Sequence, residues 1–168
     1  RLDIISWANS IIKEDKQAEI VLYGTSMGGS TVLMASGEDL PSNIKAIISD
    51  CAYTSIYDLF DYEVRNYMNS SSFPIIDFLN ATTVLRAGYS LKSASPIDAV
   101  KKSKVPILYF HGDKDSFVPI SMMNKLYDAT SSTKKKVTIK GGEHANSDLA
   151  QPKTYWTSIK NFLKQYVN

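Results

Sequence analysis

Five residues, Gly24-Thr25-Ser26-Met27-Gly28, carry the densest chemical signal in the chain, and Gly29 follows them. They stand directly after the apolar run Glu19-Ile20-Val21-Leu22-Tyr23, which reads as a buried strand, and they open residues 27–36, which read as a helix. A serine at such a strand-to-helix turn is forced into a strained backbone that lifts its hydroxyl above the sheet edge. Glycines two residues to either side let strand and helix approach without Cβ clashes. At the helix N-terminus, the dipole and the free Met27 N–H favour developing negative charge, which makes Met27 a candidate oxyanion donor. A glycine-rich turn that merely packs, or that cradles a phosphate, has a similar sequence.

A serine nucleophile needs a base, and imidazole is the usual one. His144 lies in the glycine-rich segment Gly141-Gly142-Glu143-His144-Ala145-Asn146-Ser147, after a strand. His111 ends a strand beside Gly112 and reads as a structural residue. A third member, a carboxylate, fixes the imidazole tautomer. Asp115 is chosen because it lies three residues past the turn glycine Gly112 and can point back over the sheet edge. Asp113 is the alternative, otherwise a turn-forming residue. Asp50, at the end of another strand, is a third candidate. The order is then Ser26, Asp115, His144.

These residues need elements to hold them. Ile4, Ile5, Ala8, Ile11 and Ile12 fall on one helical stripe that stops at the polar stretch 13–17. After the strand at 19–23 and the helix at 27–36, Gly37 is expected to end that helix in a left-handed conformation. Residues 44–49 and 105–110 read as two further strands, and 137–139 as a fourth. Met122, Met123, Leu126 and Tyr127 mark a helix opened by Pro119, and Pro152 suits the first turn of a last helix bearing Tyr155, Trp156, Ile159, Phe162, Leu163 and Tyr166. Near-continuous apolar strands alternating with helices predict an α/β domain, a parallel sheet with helices on both faces. Each candidate then follows a different strand, and all emerge at one edge.

The 168 residues suit a single domain. Nineteen Lys and Arg against 17 Asp and Glu give a net charge of +2, too weak a basic bias to imply a nucleic-acid partner. One cysteine, Cys51, excludes an internal disulfide, and with only two histidines there is little material for a metal site. No apolar run approaches the roughly 20 residues that cross a bilayer. Lys101, Lys102 and Lys104, and the run Lys134-Lys135-Lys136, read as solvated turns ahead of strands.

Residues 53–98 stand apart. They hold eight of the 18 aromatics, and no lysine occurs between Tyr53 and Leu91 although the chain has sixteen. Such an interlude could cover the strand ends and line an apolar pocket, or simply pack as core. Tyr53 and Phe78 from it, with Phe117, are the candidate substrate-binding residues.

The motifs Tyr-Gly-Thr-Ser-Met-Gly-Gly (23–29), His-Gly-Asp-Lys-Asp-Ser-Phe-Val-Pro (111–119), Gly-Gly-Glu-His-Ala (141–145) and Ser-Pro-Ile-Asp (95–98) give the chain a resemblance to α/β-hydrolase fold proteins, most closely the bacterial esterase/lipase-like group. The Ser…Asp…His order is the one those enzymes use. The resemblance implies Ser26 as nucleophile, Asp115 as acid, His144 as base, the Met27 amide as one oxyanion donor, and 53–98 as a variable cap. It implies a serine hydrolase acting on a small-molecule acyl ester, with no cofactor. A peptidase of the prolyl-oligopeptidase type shares the triad order, and a non-catalytic binding module could keep the fold. The chain opens at Arg1 inside a helical pattern, and its four strands match the fifth to eighth of the family's eight. The earlier strands, and the loop supplying a second oxyanion donor, are therefore expected upstream, and the isolated segment is expected to be nearly inactive. The strand at 19–23 would then be an exposed edge, and edges invite pairing. A homodimer through residues 19–23 is expected; light scattering that stays at monomer mass up to high concentration would count against it.

Overall fold

The computed structural model describes residues 1–167. Helix α1 (Leu2–Glu14) leads into β1 (Ile20–Thr25), α2 (Met27–Ala35) and β2 (Ile44–Asp50). Helices α3 (Ile56–Met68), α4 (Ile75–Ala87) and α5 (Pro96–Val100) separate β2 from β3 (Ile107–Gly112). Helix α6 (Ile120–Ala129), β4 (Lys134–Ile139), α7 (Ser147–Ala150) and α8 (Pro152–Leu163) complete the chain. The strands lie side by side in chain order, β1-β2-β3-β4, and every pair is parallel, so all four carboxyl ends share one edge.

Alternation along the strands divides the core. Ile47, Ile107 and Tyr109 face one side with Ala8, Val32, Leu33, Met123 and Leu126 from α1, α2 and α6. Ile48, Leu108, Phe110 and Ile139 face the other, against Tyr155, Ile159 and Phe162 of α8. Phe110 and Tyr155 stack with ring centroids 4.2 Å apart. Each such fully buried large side chain contributes roughly 1.5–3 kcal/mol, and burial on both faces explains why β2 and β3 read as continuous apolar runs. Among the described residues, no helix is long and apolar enough to cross a membrane.

Two expectations need correction. The fourth strand begins at Lys134, not Val137: Lys134, Lys135 and Lys136 pair with Ile107, Leu108 and Tyr109. They are not turn residues. β4 lies at the sheet edge, where lysine side chains can leave the ladder for polar partners and block further pairing. Lys134 Nζ donates to the Thr130 carbonyl at 2.8 Å, and Lys136 Nζ donates to Asn124 Oδ1 at 2.7 Å. Gly37 is not left-handed either; Gly88, which closes α4, and Gly141 are the glycines with positive φ. A Cβ on Gly37 would lie 2.8 Å from Ala99 Cα, so glycine there lets the end of α2 pass against α5.

The interlude becomes α3 and α4, joined to β3 through a 3₁₀ turn at Leu91–Ser93 and α5. Ser55 caps α3 by accepting from Asp58 N–H at 2.9 Å, which accounts for where that helix starts. Many of its apolar side chains face solvent, among them Tyr67, Phe73, Phe78 and Leu85.

Because space rather than backbone sign demands glycine at position 37, Gly37→Ala and Gly37→Asn should each cost about 1–3 kcal/mol in urea unfolding. Asparagine tolerates a left-handed cap, so a Gly37→Asn protein as stable as wild type would contradict the close-contact explanation.

Candidate active site

The turn after β1 is built by close backbone approach. A Cβ on Gly24 would sit 2.3 Å from the Gly28 carbonyl carbon, and one on Gly29 would sit 2.8 Å from the Asp50 carbonyl oxygen. Gly28 itself has open space where a Cβ would be, so Gly24 and Gly29 are the glycines that the crossing requires. Ser26 has φ 54° and ψ −118°, a conformation rare for a side-chain-bearing residue. Its N–H donates to the Asp50 carbonyl at 2.8 Å, which anchors the turn to β2. Met27 is the first residue of α2, so its N–H has no carbonyl to bond within the helix.

The loops after β3 and β4 are zipped together. Asp113 Oδ1 accepts from Gly141 N–H at 2.7 Å, and Lys114 N–H donates to the Gly142 carbonyl at 2.8 Å. A Cβ on Gly112 would lie 2.1 Å from the Gly142 carbonyl oxygen. This contact carries Asp115 and His144 to the same place. Ser26 Oγ lies 2.8 Å from His144 Nε2, and His144 Nδ1 lies 2.8 Å from Asp115 Oδ2. The carboxylate must accept, so Nδ1 carries the proton and Nε2 is free to take one from Ser26.

Asp115 is 8% exposed. Its Oδ1 accepts from the N–H groups of Phe117 at 3.0 Å and Val118 at 2.8 Å, a local turn that aims Oδ2 at His144. Burial by itself raises the carboxyl pKa, but hydrogen bonds from His111, His144 and Val118 N–H outweigh it and hold the group below the usual carboxylate range. Phe117 covers the imidazole edge-on, ring centroids 5.0 Å apart.

The structure therefore brings together Ser26, Asp115, His144, Met27 and Phe117. It does not bring Asp113 to the imidazole, because that side chain ties two loops together. Asp50 is turned toward Ser147, whose Oγ donates to Asp50 Oδ1 at 2.8 Å. Tyr53 is core, packed with Leu59, Val118 and Met122. Phe78 stands on α4, 73% exposed. His111 is structural as expected, with Nε2 donating to the Val118 carbonyl at 2.8 Å, yet it also stands 3.3 Å from Asp115 Oδ2. Sequence reasoning gave Cys51 no place near the site. It is fully buried, and its sulfur lies within 4.8 Å of ligand atoms of both Asp115 and His144. Burial and the neighbouring Asp50 charge push its thiol up to about 12. Of the described residues this trio is the one group that could hold a metal ion, but a protonated thiol and an engaged Asp–His pair make a poor donor set.

The sequence profile of the prolyl oligopeptidase family matches residues 2–168. The chain belongs to the prolyl oligopeptidase family. The uncharacterized protein YqkD of Bacillus subtilis is 27% identical over 151 residues, which cover 90% of this chain and 50% of YqkD. The esterase domain of a Rhodothermus marinus protein superposes with a TM-score of 0.65 at 19% identity, covering 96% of this chain and 66% of that one. The acylaminoacyl peptidase of Pyrococcus horikoshii superposes at 0.68 and 18% identity, covering 96% of this chain and 26% of that one. These likenesses identify the architecture as part of the α/β-hydrolase fold. The chain spans about half the length of the curated relatives it matches.

A carboxyl held below its ordinary value stabilises the fold above about pH 4, and this contribution disappears as pH falls through the lowered folded value. The stability difference between wild type and Asp115→Asn, measured by urea unfolding, should shrink as pH falls from about 5 toward about 3. A difference that persists undiminished at the acid end would show that the carboxylate charge does not matter to the fold.

Proposed function

We propose that this chain is the catalytic portion of a serine hydrolase that cleaves small-molecule carboxylic (acyl) esters through an acyl-enzyme. The observation that carries the reading is the continuous relay Ser26 Oγ–His144 Nε2 and His144 Nδ1–Asp115 Oδ2, 2.8 Å at each step. In the proposed reaction His144 Nε2 takes the Ser26 proton as Oγ attacks the ester carbonyl. The oxyanion forms beside the Met27 N–H at the N-terminus of α2, where the helix dipole also favours it. Asp115 keeps the imidazole in the required tautomer and balances the imidazolium. His144 then protonates the departing alkoxide, leaving the acyl group on Ser26. A water deprotonated at the same Nε2 attacks that acyl group, and the carboxylic acid leaves as Ser26 recovers its proton. No step calls for a cofactor. Phe117, edge-on over His144, supports an uncharged acyl group.

Family membership favours a second reading, a peptidase that cleaves amide bonds with the same residues. Against it, a peptide terminus calls for a charged anchor, and none of the residues assigned around Ser26 supplies one.

A p-nitrophenyl phosphonate should modify Ser26 stoichiometrically, which reads the nucleophile even where turnover is slow. Ser26→Ala should remove the label, and Asp115→Asn should lower the labelling rate by about 10⁴-fold. Short p-nitrophenyl esters should be hydrolysed faster than aminoacyl p-nitroanilides. The opposite preference would assign the site to a peptidase, and label on another residue, or none, would reject the serine mechanism.

A further inference from the structure

Asp50 is bonded at both ends of its residue to segments that carry the triad. Its backbone carbonyl accepts from Ser26 N–H at 2.8 Å, and its side-chain Oδ1 accepts from Ser147 Oγ at 2.8 Å. Ser147 follows His144 by three residues and opens α7. Both side chains are enclosed: Asp50 is 2% exposed and Ser147 is fully buried. The Tyr155 hydroxyl, from α8, also faces the Asp50 carboxyl. Tyr155 in turn shares a 2.9 Å hydrogen bond with the Tyr23 hydroxyl on β1. A carboxylate in the interior is costly unless it is hydrogen-bonded, and this one sits among groups that can donate to it.

The loop that bears His144 needs such a tie. It contains Gly141 and Gly142 and places Ala145 at φ 56°. Upstream of His144 it is fixed by Gly141 N–H on Asp113 and by Gly142 N–H on the Ile139 carbonyl. Immediately downstream, Glu143 N–H on Asn146 Oδ1 is a bond within the loop itself and fixes nothing to the sheet. Ser147 on Asp50 joins that side of the loop to β2, the strand that also holds the Ser26 turn. We propose that Asp50 is a positioning residue, a buried latch that acts through Ser147 to hold the His144 loop in register with the Ser26 turn. The inference rests on the triad reading above and extends it to a residue that touches neither substrate nor reacting atoms.

The latch is a hydrogen bond, so its two halves act as one. In the full 168-residue chain, Asp50→Ala and Ser147→Ala should each slow phosphonylation of Ser26 by about 10- to 100-fold, the scale of a misplacement of about 1 Å. The double variant should be no slower than the slower single one. Asp50→Asn keeps an acceptor for Ser147 and should recover most of the rate lost in Asp50→Ala. Proton NMR of the His144 Nδ1–H supplies a readout that does not depend on reactivity: its downfield signal should persist in wild type and Asp50→Asn and broaden by exchange in Asp50→Ala and Ser147→Ala. Wild-type labelling rates and an unchanged signal in both alanine variants would overturn the latch. So would losses that multiply in the double variant, or that merely follow a fall in folded fraction by circular dichroism. If wild type is not labelled at Ser26, the hydrolase reading fails, and the NMR signal alone then decides the latch.

Discussion

An imidazole can serve a serine only while something fixes its other nitrogen, and the rest of this site is arranged to keep that something still. Asp115 is a carboxylate whose oxygens are almost fully committed. One takes two backbone amides from its own turn, and the other faces His144 and, at longer range, His111. A carboxylate held this way cannot rotate out of line. His111 closes the same turn by donating to the Val118 carbonyl, so the end of β3, Asp115 and Val118 form one tied loop. The arrangement leaves His111 Nδ1 buried without a partner among the described residues. An unmet buried acceptor costs about 1–3 kcal/mol, which the rest of the fold must offset.

Backbone strain collects at the same place. Ser26, Cys51 and Ala145 all have positive φ, at 54°, 44° and 56°, and each follows or lies beyond a different strand. Residues held in such regions cost on the order of 1–3 kcal/mol each and persist where the surroundings over-determine them. Here the surroundings are the two apolar layers that clamp β2 and β3 on both faces. Cys51 N–H donates to the Phe110 carbonyl at 2.9 Å, tying the strained residue to the central strand pair. The buried layers thus bear strain that a loop exposed to water could not hold.

What the sequence made legible follows from the range of the forces involved. The strands, the Ser26 turn and the approach of Asp115, rather than Asp113, to His144 were readable because each rests on local pattern: apolar runs, glycines at fixed offsets, and the position of a carboxylate within one turn. Gly37 was misjudged because a glycine needed for a tertiary contact with Ala99 looks like one needed for its own φ. The start of β4 was misplaced because lysines argue against a strand until it is known that the strand lies at an edge. Tyr53 and Phe78 were grouped by composition, yet one is core and the other faces solvent, since aromatic content says nothing of direction. The placement of Cys51 and Asp50 depends on packing between β2 and loops nearly a hundred residues away, and no local signal announces it.

The two outer strands of the four described differ in character, and Ser26 follows β1. At β4, three lysines, of which Lys134 bonds to the turn after α6 and Lys136 to α6 itself, occupy the flank and discourage another strand. At β1, the residues are Ile20, Val21, Leu22 and Tyr23, and none of them is charged. Ser26 follows that strand directly, so any motion of β1 would reach its hydroxyl. What prevents this is β2: β1 is laddered to it from Ile20 to Thr25, and the turn beyond β1 is fastened to the Asp50 carbonyl. The position of Ser26 is therefore set from β2, the same strand whose end faces the histidine loop.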